Sequence, residues 1–315
     1  MTRIDPELGG PLAAFLEQIG GGLDLSDIPA LRAGVAAAVA AAGIATRPGV
    51  DIADVSLPDS PVTVRVYRPS GQHAALPVLL WVHGGGLVIG NVAQDDLLVG
   101  ELVANVGCAV VSVEYRLAPE HPYPVPLEDC YAALRWVAEQ PDVDRTRIAI
   151  GGASAGAGLA AALALLARDR AEVWPMFQLL LYPMLDDRNV APASALLPDT
   201  LVWSRENNRI GWNAYLGGAA GSGEVPRYAA AARVADLGGL PSAYIAVGEL
   251  DLFLDEDIDY ARRLLAAGVA TELHVYPGAY HGFDAIAPQA GMSRRLIGER
   301  DRALKEAFGL NKETT

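Results

Sequence analysis

The chain has 315 residues, 51% of them hydrophobic and 20% charged, with a formal net charge of −14. That composition is globular rather than disordered. The negative excess repels phosphate backbones and anionic lipid surfaces, which speaks against nucleic acid or a membrane as partner. Two cysteines, Cys108 and Cys130, make no disulfide framework, and no His or Cys cluster has metal-ligand spacing. No metal site is therefore expected.

Arg3, Asp5 and Glu7 interrupt the N-terminus, so no signal peptide is expected and the cytoplasm is the default compartment. Residues 12–19 and 31–43 have helical composition, with Gly43 as a stop. From Val50 the texture changes. Residues 62–68 alternate with period two, as a half-exposed strand does. Residues 77–82 and 108–115 are continuous apolar runs, as buried parallel strands are. Helical spacing lies between them at 95–107.

The alternation continues. Residues 127–140 read as a helix, 147–152 as a strand and 157–170 as a helix. Residues 177–183, 242–251 and 271–277 read as strands, with a helix at 257–269. Strands alternating with helices predict an α/β fold, a mostly parallel sheet covered on both faces. The uncharged run 148–167 is long enough to cross a bilayer. Its glycine-dense start fits strand, sharp turn and buried helix better. Residues 186–230 break the rhythm and read as a helical insertion lying over one end of the sheet.

Gly152-Ala153-Ser154-Ala155-Gly156 fits G-x-S-x-G between a strand and a helix, the context a nucleophile elbow requires. His83-Gly84-Gly85-Gly86 follows an earlier buried strand. Glycines let backbone N–H groups close on a developing oxyanion, so Gly84, Gly85 and Ala155 are the expected donors. His83 is expected to brace the loop.

A serine nucleophile needs an imidazole base, and the chain order in this fold is Ser, then Asp or Glu, then His. Of five histidines, His73, His83 and His121 precede Ser154. His274 falls inside a strand, whereas His281 lies just past its end. His281 is the expected base. Asp251 closes the strand before it and is the expected orienting acid, with Asp255 as the alternative. The other acids up to Asp259 read as helix-start charges.

The HGGG loop, the segment YRLAPEHPYP (115–124), the G-x-S-x-G elbow and the terminal HGF resemble the hormone-sensitive-lipase-like esterases. The resemblance covers about residues 40 to 310. It implies one α/β-hydrolase domain over 1–315, with a cap from about 1–48 and 186–230. It implies cofactor-free hydrolysis of carboxylic esters, mostly of short acyl chains. Ala153 stands where that family usually has Asp, and Leu252 where it usually has Pro. Neither supplies a triad atom, so they bear on substrate rather than chemistry. Leu87, Val88, Trp203, Trp212 and Tyr215 are the candidate apolar lining. A lactonase or amidase on the same triad is the first alternative. A non-catalytic ligand receptor is the second, and the retained His281 counts against it. A small-molecule ester is the expected partner, with a homodimer through the last strand edge left open.

Overall fold

The computed structural model describes residues 4–43, 47–189 and 202–310. Eight strands form one sheet. They are β1 (Val50–Ser56), β2 (Thr63–Pro69), β3 (Leu76–Val82), β4 (Ala109–Glu114), β5 (Val143–Ala153), β6 (Phe177–Leu181), β7 (Ser242–Gly248) and β8 (Thr271–Tyr276). Their spatial order is β1-β2-β4-β3-β5-β6-β7-β8. β2 runs antiparallel to both β1 and β4, and every later pairing is parallel.

The apolar runs are continuous because both faces are covered. In β3, Val78, Leu80 and Val82 face one core, while Leu79 and Trp81 face the other. Successive side chains of a strand point to opposite faces, so a run apolar at every position fills both. The first core takes α4 (Val125–Glu139), α5 (Ala155–Arg170) and α7 (Leu254–Ala266). The second takes α3 (Asp96–Val106), α8 (Phe283–Ile286) and α9 (Gly291–Ala307). Each fully buried Val or Leu contributes roughly 1.5–3 kcal/mol. Residues 148–167 are the end of β5, the elbow and most of α5. Among the described residues no helix is long and apolar enough to cross a membrane.

Two helices precede the sheet, α1 (Pro6–Gln18) and α2 (Ile28–Ala42). Leu8 and Leu12 anchor α1 in the second core. Within the insertion 186–230 the described helix is α6 (Arg205–Leu216), and the rest of its described chain is turn and coil. Ser204 caps α6 by accepting from Asn207 N at 3.0 Å. Residues 190–201 lie outside the described residues. The strand expected at 147–152 begins earlier, where Val143 pairs with Leu76. The expected helix at 257–269 also starts earlier, so Asp255, Glu256 and Asp257 form its first turn.

Candidate active site

Ser154 sits between β5 and α5 with φ 56°, a left-handed conformation that costs a non-glycine residue about 1–3 kcal/mol. Its surroundings hold it there. Ser154 N donates to Leu181 O at 2.9 Å, and Ser154 O accepts from Gly158 N at 3.0 Å and Met184 N at 3.1 Å. A Cβ on Gly152 would fall 2.5 Å from Val82 O, and one on Gly156 would overlap the Val82 and His83 carbonyls. The elbow therefore needs glycine at both positions for close approach to β3.

The HGGG loop leaves β3 and lies directly against the elbow. A Cβ on Gly84 would stand 3.4 Å from Ser154 Cβ. Gly85 and Gly86 have φ 121° and 59°, conformations that favour glycine. The Gly85 carbonyl accepts from Val88 N at 3.1 Å and Ile89 N at 2.9 Å, which fixes the loop's turn. Among the described residues, the Gly84, Gly85 and Ala155 N–H groups donate to no backbone carbonyl. His83 is fully buried, stacks on Tyr115 at 4.2 Å and pairs its Nδ1 with Gly84 O at 2.8 Å. Burial pushes its imidazole down to about 4, so it is a neutral brace.

His281 follows β8 and is brought to Ser154 by the turn that precedes α8. Its Nε2 lies 2.9 Å from Ser154 Oγ, and its Nδ1 lies 2.7 Å from Asp251 Oδ2. Asp251 is fully buried, and its Oδ1 accepts from Phe253 N at 3.0 Å. An Nδ1–H donating to Asp251 leaves Nε2 as the acceptor for the serine O–H. Tyr182 and Phe253 hold the imidazole edge-on, with ring centroids 4.9 and 5.2 Å away. Asp255 lies in the first turn of α7 and not in this chain of bonds. His274 lies in β8 between Glu272 and Glu299, at 2.6 and 3.2 Å.

Comparison with known proteins places the chain in a family. The sequence pattern of a family described as an alpha/beta hydrolase fold matches residues 79–285. The chain belongs to the α/β-hydrolase family. Esterase LipI of Mycobacterium tuberculosis is 37% identical over 76% of this chain and 77% of that protein. An ethyl acetate hydrolase of Pseudomonas putida is 33% identical over 70% of each. A bacterial heroin esterase superposes with a TM-score of 0.89 at 41% identity, over 97% of this chain and 98% of that one. These relatives agree with the resemblance to hormone-sensitive-lipase-like esterases carried by the motifs.

A cleft of this α/β-hydrolase lies next to the candidate triad, although neither Ser154 nor His281 is among its lining residues. This open cavity holds about 650 Å³ between α1 (Pro11, Ala14, Phe15, Gln18), Gln94, Asp95, Val202 and the segment Gly282, Ala285 and Ile286. Gln94 Nε2 donates to Gly84 O at 3.3 Å, and Gly282 directly follows His281, which ties the cavity to the site. Leu87, Val88, Trp212 and Tyr215 are buried in the core with α4 and α5, and none of them lines this cavity. Tyr215 O accepts from Tyr123 N at 2.8 Å, and the two rings meet edge-on at 5.8 Å. Trp203 lies against Gly86, where a Cβ would strike its indole. The α1 wall was missed in sequence reasoning. Pro11, Ala14, Phe15 and Gln18 fall on one face at helical spacing, a signal consistent with any packed helix.

Proposed function

We propose that this serine carboxylesterase hydrolyses esters of short acyl chains through an acyl-enzyme on Ser154. The observation that carries this reading is the chain of two hydrogen bonds, Asp251 to His281 at 2.7 Å and His281 to Ser154 at 2.9 Å. His281 Nε2 takes the Ser154 proton as Oγ attacks the ester carbonyl. The carbonyl oxygen becomes an oxyanion, held by the N–H groups of Gly84, Gly85 and Ala155. His281 then donates its proton to the leaving alcohol, and the acyl group stays on Ser154. Water, deprotonated by His281, attacks that ester and releases the acid. Asp251 fixes the imidazole tautomer and stabilises its cation.

A cavity of about 650 Å³ is in the range for small ligands and supports a small substrate. A relative named for ethyl acetate supports a small acyl group. Residues 1–48 and 186–230 form the cap in this reading, and α1 contributes one wall of the cavity. Two copies would pair through the β8 edge, the last strand of the sheet. The buried, free thiols of Cys108 and Cys130 fit work in the cytoplasm. The test is hydrolysis of nitrophenyl esters of increasing acyl length. Turnover greatest at two to four carbons supports the reading, and no turnover of any ester by folded protein overturns it.

A further inference from the structure

The cavity wall carries a carboxylate that the reaction does not use. Asp95 lines the cavity beside Gln94 and across from Gly282 and α1. Its Oδ2 accepts from Trp81 Nε1 at 2.7 Å, and the Gln94 side chain also donates to it. Both partners are neutral. Among the described residues no arginine, lysine or histidine forms an ion pair with Asp95.

The neighbouring acids are provided for. Asp96 accepts from Arg65 at 3.1 Å and from the Tyr67 hydroxyl at 2.5 Å. Asp284 accepts from the Tyr182 hydroxyl at 3.0 Å and feels the Arg300 charge. Asp96 and Asp284 face Asp95 as acids and add to the negative potential there. The tyrosines near it, Tyr67, Tyr115 and Tyr182, stay neutral because burial raises their hydroxyls. Two imidazoles lie nearby: His83, held neutral by burial, shares Gly84 O with the Gln94 side chain, and His281 packs edge-on against Tyr182. Burial pushes the Asp95 carboxyl up to about 6, so it is charged at pH 8 and mostly neutral at pH 5.5.

A carboxylate on a cavity wall with only neutral partners is half of an ion pair. We infer that the cavity selects esters carrying a cationic group, an ammonium set against Asp95 while the ester carbonyl lies at Ser154. This rests on the esterase reading and adds a substrate class to it. A substrate cation completes the pair and takes little from existing contacts, because Trp81 and Gln94 occupy only part of the carboxylate. The net charge of −14 draws cations toward the protein and away from competing anions.

The probes are acetylcholine and its uncharged carbon isostere, 3,3-dimethylbutyl acetate. Each is measured as a competitor of p-nitrophenyl acetate hydrolysis, so slow turnover of either probe does not hide its binding. The quaternary ammonium keeps its charge at every pH, so any pH dependence of the preference belongs to the enzyme. Acetylcholine is expected to compete about tenfold or more better than the isostere at pH 8, the scale of one partly screened charge pair. That preference falls toward one at pH 5.5, and at both pH values in Asp95→Asn. Asp95→Glu keeps the charge and keeps most of the preference. Each preparation supplies its own ratio, so partial misfolding does not mimic the result. Equal competition by the two probes at pH 8, competition by neither, or an undiminished preference in Asp95→Asn overturns the inference. Failure of the wild type to hydrolyse p-nitrophenyl acetate would instead sink the esterase reading beneath it.

Discussion

Asp257 gives a prediction whose sign and size follow from the structure. It lies in the first turn of α7, fully buried, and neither carboxyl oxygen has a hydrogen-bond partner. Burial, with the charges of Glu256 and Asp251 beside it, holds its carboxyl well above the ordinary range. The folded protein therefore holds the Asp257 proton to higher pH than the unfolded chain does. The unfolded chain ionises it near pH 4. Between those two values the unfolded state binds fewer protons, so stability falls as pH rises, by up to ~1.4 kcal/mol per pH unit. Below the unfolded value this loss vanishes. From pH 5 to pH 8 the ceiling is ~4 kcal/mol. The unpaired buried polar group adds about 1–3 kcal/mol of cost at any pH. Asp257→Ala removes both. Glu256, pushed up to about 8 by burial, is present in both proteins and cancels to first order. Urea denaturation followed by circular dichroism at pH 5, 6.5 and 8 measures the difference. The variant is expected to be the more stable, with a gain that grows from pH 5 to pH 8 and stays under the ~4 kcal/mol ceiling. A pH-independent difference, or a less stable variant at pH 8, refutes the reasoning.

Two substitutions test the catalytic assignments. Gly85→Ala places a Cβ against the Ile89 carbonyl at φ 121° and must move the oxyanion loop. Its kcat for p-nitrophenyl acetate is expected to fall about 10²–10³-fold, as when one oxyanion donor is lost, and a change under twofold would contradict the donor role. Asp251→Asn keeps the shape but presents an amide to His281 Nδ1, favouring the wrong tautomer. Its kcat is expected to fall roughly 10⁴-fold, and an activity within tenfold of wild type would move the acid elsewhere.

The candidate triad and loop that the structure brings together were legible because their chemistry fixes both residue type and place. Ser154, His281 and the HGGG loop each sit at the carboxyl end of a strand, and strand ends can be read from apolar runs. The three glycines of the loop and the two flanking Ser154 are demanded by close approach, which is a local property. The strands β3, β4 and β6 were equally plain. The helix α9 was not, since its buried positions are few and include Ser293, Arg300 and Asp301. The strand β1 is exposed along most of its length and has no clean apolar alternation.

The cavity was the least legible part. Its walls come from α1, the turn before α3 and the segment after His281, which only tertiary packing brings together. Trp212 and Tyr215, named as lining because large aromatics in an insertion suit a pocket, are buried in the first core, with Tyr215 edge-on to Tyr123. Asp95 and Asp257 reverse the usual expectation for acids. In sequence Asp257 reads as a helix-start charge, where acids are favoured, and Asp95 as no more than the first residue of a helical stretch. Burial is what distinguishes them, and burial of one side chain is set by neighbours distant along the chain.

The central claim is that Ser154 carries the acyl group. A fluorophosphonate ester that reacts with activated serines, followed by peptide mass spectrometry, tests it most directly. The account predicts one adduct per chain on the peptide containing Ser154, with ester hydrolysis lost in step. Ser154→Ala should fold normally, take no label and show no turnover above background. An adduct on another residue, or wild-type hydrolysis by Ser154→Ala, would contradict it.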